Sequence, residues 1–166
     1  MALGWSFGGV LAFEASRQLR KAGTVVKGVV LIDSPFPLGH EALPSEVISY
    51  VVKKPANGRG VISEAGKKAR GIVQSQFQRH ARMLEQYNPE ASAADVPCVM
   101  LKCTRTFDTE ALCAVSYPWL SEEKFRDQCV ADWERLVGKR VSVMDLDCDH
   151  FEIFDDSNVS PRDTPY

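Results

Sequence analysis

The sequence predicts an α/β fold on a parallel sheet, and three observations predict it. A run reading Gly-x-Ser-x-Gly, Gly4 to Gly8, stands between an apolar lead-in (Met1 to Leu3) and a helical pattern. That pattern runs from Phe7 to Ala22 and meets a natural stop at Gly23. A valine-rich apolar run, Val25 to Ile32, then follows, as expected for a strand buried on both faces. Strand, turn, helix and strand at this spacing make a parallel βαβ unit.

The first strand is the tail that Met1 to Leu3 supplies, and its beginning is expected to be absent. In the helix after it, Val10, Leu11, Ala15 and Leu19 fall on one face, with Arg17, Gln18, Arg20 and Lys21 toward the other. Asp33-Ser34-Pro35-Phe36-Pro37 ends the second strand abruptly, because neither proline can donate to a ladder. Residues 39–92 interrupt the alternation. Val47, Ile48, Val51 and Val52 predict a short helix, broken by Lys53 to Gly58. Val73, Phe77, Ala81, Leu84 and Tyr87 predict a second, ended by Pro89. Joined by a Gly/Lys-rich loop (Asn57 to Gly71), the pair reads as a lid inserted over the active edge. The plainer reading is that the second helix covers a sheet face.

Val96 to Cys103 predicts the next strand, with Pro97 at its beginning. Ser121, Glu122 and Glu123 open a helix with acids in its first turn, which suits the helix dipole. Phe125, Cys129, Trp133 and Leu136 form its apolar stripe, and Gly138 ends it. Val141 to Leu146 is the last strand, turned out by Asp147-Cys148-Asp149-His150. Residues 1–154 are therefore expected to form the core, and 155–166 an irregular polar tail.

Composition narrows the class. A chain of 166 residues with 45% hydrophobic and 25% charged residues suits one globular domain. A net charge of −2 argues against nucleic acid or an anionic membrane as the main partner. No apolar run approaches membrane-spanning length and no signal peptide stands at the start, so a cytoplasmic protein is expected. Five cysteines, with no C-x-x-C pair, predict reduced, partly buried thiols rather than a disulfide framework or a metal site.

The chemistry begins at Ser6. Gly-x-Ser-x-Gly between a strand and a helix is the sequence form of a nucleophile elbow, a sharp turn that lifts the hydroxyl out of the backbone. A side chain at either flanking glycine, Gly4 or Gly8, is expected to collide where strand and helix are forced together. Helix entry behind Ser6 aims free N–H groups at developing negative charge, Phe7 N–H above all, so Phe7 is the expected oxyanion-hole donor.

A serine hydroxyl needs a base to take its proton during attack. Of the three histidines, His40 lies in a Pro/Gly-rich loop and His80 in the second lid helix. His150 alone follows a strand end on the same edge as Ser6. It in turn needs an acid to fix its tautomer and stabilise its charged form. Asp33 and Asp108 both follow strand ends. Asp108 fits a late-strand acid and Asp33 the strand beside the elbow, so the residues alone leave both open with Asp33 ahead. Asp145, Asp147 and Asp149 lie too near His150 in sequence to orient it.

Gly-Trp-Ser-Phe-Gly-Gly with Val-Leu-Ala-Phe-Glu after it resembles the elbow of type I thioesterase domains, the release domains of polyketide synthases and nonribosomal peptide synthetases. Val-Val-Leu-Ile-Asp-Ser-Pro-Phe-Pro-Leu at 29–38 and Asp-His-Phe-Glu-Ile-Phe at 149–154 are similar to the same family, closest in flavour to fungal polyketide synthases and NRPS-like synthetases. The resemblance covers Ala2 to Phe154. It implies an α/β-hydrolase fold, a mostly parallel sheet with helices on both faces and a helical lid. It also implies Ser6 as nucleophile, Asp33 as acid and His150 as base. The implied reaction is acyl transfer from a carrier protein's phosphopantetheine arm, with no bound cofactor or metal. The carrier domain and a small-molecule acyl chain are the implied partners. Water then gives a free acid, an internal hydroxyl a lactone, and a carbon nucleophile a Claisen-type ring.

Family members carry strands before the elbow and a helix after the histidine loop, so the sequence is expected to lack its N-terminal strands and to be cut at both ends. The second oxyanion donor, which comes from an early loop in that family, is expected to be missing, at a cost on the order of 100-fold in rate. Two further readings follow: a weak or inactive remnant acting as a binding module, and a general serine esterase.

Overall fold

The structure is a computed structural model that describes residues 1–53, 64–89 and 96–155. Its elements are β1 (Ala2–Trp5), α1 (Phe7–Lys21), β2 (Val29–Ile32), α2 (Ser45–Lys53), α3 (Glu64–Gln86), β3 (Cys98–Cys103), α4 (Thr109–Cys113), α5 (Pro118–Ser121), α6 (Glu123–Val137) and β4 (Ser142–Leu146). The four strands form one sheet in the order β1-β2-β3-β4, and every pairing is parallel. A parallel sheet lines up all strand ends, so Ser6, Asp33 and the loop after β4 emerge along one edge.

Residue alternation divides the sheet into two unlike faces. Val29, Leu31, Cys98 and Met100 are buried on one face against Val10 and Phe13 of α1 and Cys129, Trp133 and Leu136 of α6. Phe13 meets Trp133 edge-to-face at 5.1 Å, a geometry that adds about 0.5–1.5 kcal/mol to the burial. Of the two helical layers expected, the described residues supply this one. On the other face Val30, Ile32, Val99 and Leu101 are only partly buried, and Leu3 and Met144 are exposed. β1 pairs with β2 alone among the described residues, which makes the elbow strand an edge.

Two helical faces differ from the sequence reading. In α1 the buried residues are Gly9, Val10, Ala12, Phe13 and Ser16, while Leu11 and Leu19 are 45% and 48% exposed. Small residues hold the buried stripe because α1 lies close on the strands. A Cβ on Gly9 would fall on Ser34 Oγ and reach within 3.0 Å of Gly4 O. In α6 the outward residue is Phe125 and the inward one is Arg126, which is 3% exposed. Ser121 does not open this helix. It ends α5, its hydroxyl donating to Tyr117 O, and Glu122 takes the cap position of α6.

The strands are shorter than the apolar runs around them: Val26 and Val96 are buried but lie outside β2 and β3. α3 begins at Glu64, so the end of the expected loop, 64–71, is helix. The rest of that loop, 57–63, lies outside the described residues, as does the tail from 156 onward. Among the described residues no helix is long and apolar enough to cross a membrane. The five cysteines are free thiols.

Candidate active site

The turn from β1 into α1 holds Ser6 at φ 53° and ψ −129°, a left-handed conformation that non-glycine residues seldom adopt. Such strain persists only where the surroundings enforce it. Here the enforcement is visible. Ser6 N–H donates to Ile32 O at 2.9 Å, and a Cβ on Gly4 would land on the Gly8 carbonyl. Gly8 differs from the sequence reading, since a Cβ there meets nothing within 4 Å. The close approaches belong to Gly4 and Gly9, while Gly8 lines the open space in front of Ser6.

Asp33 leaves β2 with φ 42°, also left-handed. Its N–H donates to Leu101 O at 2.7 Å, and its Oδ1 accepts Cys103 N–H at 3.0 Å. Its Oδ2 lies 2.8 Å from His150 Nδ1, and His150 Nε2 lies 3.1 Å from Ser6 Oγ. The three residues singled out from the sequence therefore form one continuous hydrogen-bonded chain. Asp108, the other acid considered, is spent elsewhere: its carboxylate accepts Ala111 N–H at 3.0 Å as the cap of α4. Asp149 accepts the N–H groups of Phe151 and Glu152, which folds the turn that presents His150.

Burial would raise the Asp33 carboxyl, but the hydrogen bond from His150, the charges of His150 and Arg126 and the Cys103 N–H together hold it below the usual carboxylate range. Arg126 reaches Asp33 Oδ2 at 3.2 Å and Oδ1 at 3.4 Å through Nη1, which also donates to Cys103 O at 3.0 Å. Phe7 N–H, first in α1, belongs to the N–H groups that a helix start leaves without an intrahelical acceptor.

The chain opens into an apolar cavity of about 270 Å³. Its lining includes Trp5, Phe7 and Leu43, with Val73, Phe77 and Leu84 of α3 on the facing side. Sequence reasoning missed several residues here. Trp5, an unassigned letter of the motif, stacks on His150 at 5.0 Å and donates Nε1–H to His150 O at 3.2 Å. His40 and His80, set aside on their local sequence, both line the same cavity. His80 stacks on Phe7 at 4.3 Å, and His40 Nε2 lies 3.1 Å from the Tyr117 hydroxyl. Burial, with the nearby His150 charge, lowers the His40 pKa to about 4. No periodicity in the sequence brings these residues together. Only the tertiary fold does.

Comparison with known proteins finds thioesterase relatives. Residues 2–49 match the model of the thioesterase domain family. An orsellinic acid synthase of Beauveria bassiana is 33% identical over 183 residues, covering 95% of this chain and 8% of that protein. Orsellinic acid synthase armB of Armillaria mellea is 38% identical over 154 residues, covering 91% of this chain and 7% of that protein. The chain thus spans less than a tenth of these relatives. Among solved structures, the Vlm2 thioesterase domain bound with a dodecadepsipeptide superposes with a TM-score of 0.64 at 15% identity, over 94% of this chain and 63% of that one. The SrfTE thioesterase domain that cyclises surfactin gives 0.60 at 18% identity, over 94% and 60%.

Proposed function

We infer that this chain, related by sequence to the thioesterase domain and built on the α/β-hydrolase fold of thioesterases, releases acyl chains through a covalent intermediate on Ser6. The observation that carries the reading is the chain Ser6–His150–Asp33 at the floor of an apolar cavity. In this reading His150 Nδ1–H donates to Asp33, which leaves Nε2 free to accept the Ser6 proton. Ser6 Oγ attacks the carbonyl of a thioester on a carrier's phosphopantetheine arm, and Nε2 takes the proton. The oxyanion is held by Phe7 N–H. The tetrahedral intermediate collapses, the C–S bond breaks, and the pantetheine thiolate leaves with the proton from His150. His150 then draws a proton from water, or from a nucleophile of the acyl chain, which attacks the ester and restores Ser6.

The homology to polyketide synthases supports a carrier domain as partner and a polyketide-like acyl chain as substrate. α3, as the wall facing Ser6, acts as part of a lid in this reading, and residues 39–92 are its extent. A cavity lined by aromatic and aliphatic side chains excludes water from the acyl-enzyme until a nucleophile is positioned.

Labelling with a fluorophosphonate probe tests the nucleophile. Ser6 should be modified in the folded chain, and Ser6→Ala should abolish modification. An unlabelled folded protein would favour the inactive binding module. An acyl carrier thioester should then be turned over in preference to small nitrophenyl esters; the reverse preference would make the chain a general esterase.

A further inference from the structure

The buried guanidinium of Arg126 is the least expected group beside Asp33. It is 3% exposed, it sits 5.8 Å over the Trp119 ring, and it is bonded through Nη1 alone. Its Nε and Nη2 have no hydrogen-bond acceptor among the described residues. Removing a guanidinium from water and leaving two of its nitrogens unbonded is costly. Its polar contacts among the described residues are the Asp33 carboxylate and the Cys103 carbonyl. All the acceptor positions of Asp33 are thereby used: Cys103 N–H on Oδ1, His150 Nδ1 on Oδ2, and Arg126 Nη1 across both.

We propose that Arg126 is a positioning residue for His150, fixing the Asp33 carboxylate and offsetting its charge so that the imidazole stays available as a base at lower pH. The inference rests on the reading of Ser6, His150 and Asp33 as a catalytic relay. An unpaired, buried Asp33 would stabilise the imidazolium strongly and keep the base protonated. Arg126, held against that carboxylate, cancels much of this field. Other groups around His150 do not replace it. His40, with its pKa lowered to about 4, is neutral near pH 7, and His80 on α3 is also shifted down. Burial pushes the Cys103 and Cys148 thiols up, the Tyr117 hydroxyl likewise, and so leaves all three uncharged. The Asp149 carboxylate is turned to backbone N–H groups of its own loop. Among the described residues, the full charge hydrogen-bonded to the relay from outside it is therefore Arg126.

The rate of Ser6 modification by a fluorophosphonate, followed against pH in the full chain, tests this. Arg126→Met should move the acidic limb of the profile up by about one pH unit, since a lost neighbouring charge shifts a titration by roughly that much or more. Arg126→Lys, which keeps the charge without the planar fork, should leave the limb in place and lower only the plateau. A merely structural arginine would lower the melting temperature of Arg126→Met and leave the limb where it was, and that result overturns the proposal. If Arg126→Met does not fold, Arg126→Gln keeps a donor toward Asp33 without charge and is read in the same way. If neither neutral variant folds, Arg126 is structural and the proposal falls. Absence of Ser6 labelling in the unsubstituted chain would instead sink the relay itself.

Discussion

At the scale of residues, the site is a set of polar groups whose partners decide their charge. His40 shows this outside the relay. Burial and the His150 charge lower its pKa from 6.5 to about 4, so folding favours its neutral form. Above about pH 6.5 it is neutral in folded and unfolded chains alike and contributes nothing to the pH dependence. As the pH falls from 6.5 toward 4, the unfolded chain binds a proton that the folded chain does not, and stability falls. Urea unfolding at pH 7 and pH 5 should therefore show a smaller loss for His40→Gln than for the unsubstituted chain. An equal loss in both would mean that His40 is not held neutral. Ser6 and His150 were legible because each follows a strand end in a parallel sheet, where such groups gather, whereas Asp33 shared that position with Asp108 and was separated from it by the family resemblance. His40, Trp5 and Arg126 were not legible. Their contacts span 77 positions of sequence from Tyr117 to His40, 93 from Arg126 to Asp33 and 145 from Trp5 to His150.

At the scale of elements, the elbow depends on how closely α1 approaches the two strands beneath it. Gly4 is the residue that permits this, because any side chain there meets the Gly8 carbonyl, which is backbone and cannot turn aside. Gly8 faces open space and already has a helical position. Gly4→Ala should therefore destabilise the chain by several kcal/mol or prevent folding, in the manner of an overpacked core. Gly8→Ala should leave thermal stability within about 1 kcal/mol, helped by the better helix propensity of alanine, while narrowing the cavity in front of Ser6. Equal effects in a melting experiment would contradict this division. The motif predicted the turn correctly but assigned both glycines the same reason. Apolar periodicity likewise placed Leu11 and Leu19 inward, because it cannot recognise Gly9, Ala12 and Ser16 as a buried stripe chosen for size. A charged letter at 126 suffered the same fate in α6, where pattern alone pointed to Phe125.

For the whole molecule, the parallel pairing of β1 with β2 follows from the βαβ spacing, whereas the inequality of the two sheet faces does not. The register sets Leu3, Val30, Val99 and Ser142 in one row and Trp5, Ile32, Leu101 and Met144 in the next. These rows alternate with Val29, Leu31, Cys98 and Met100, which α1 and α6 cover. A strand apolar on every residue reads the same whether one face is covered or two, so β2, Val-Val-Leu-Ile, gave no warning. The stability of the described residues should thus reside on the helix-covered side. Leu31 is 0% exposed, and Leu31→Ala should cost about 2–5 kcal/mol, the cost of a deleted core leucine. Leu3 is 63% exposed and Met144 59%, so Leu3→Lys and Met144→Lys should each change stability by no more than about 0.5 kcal/mol. Denaturant midpoints for the three variants measure this directly. A loss at Leu3 or Met144 comparable to that at Leu31 would show that the second face is covered in solution, and the sheet would then be two-sided after all.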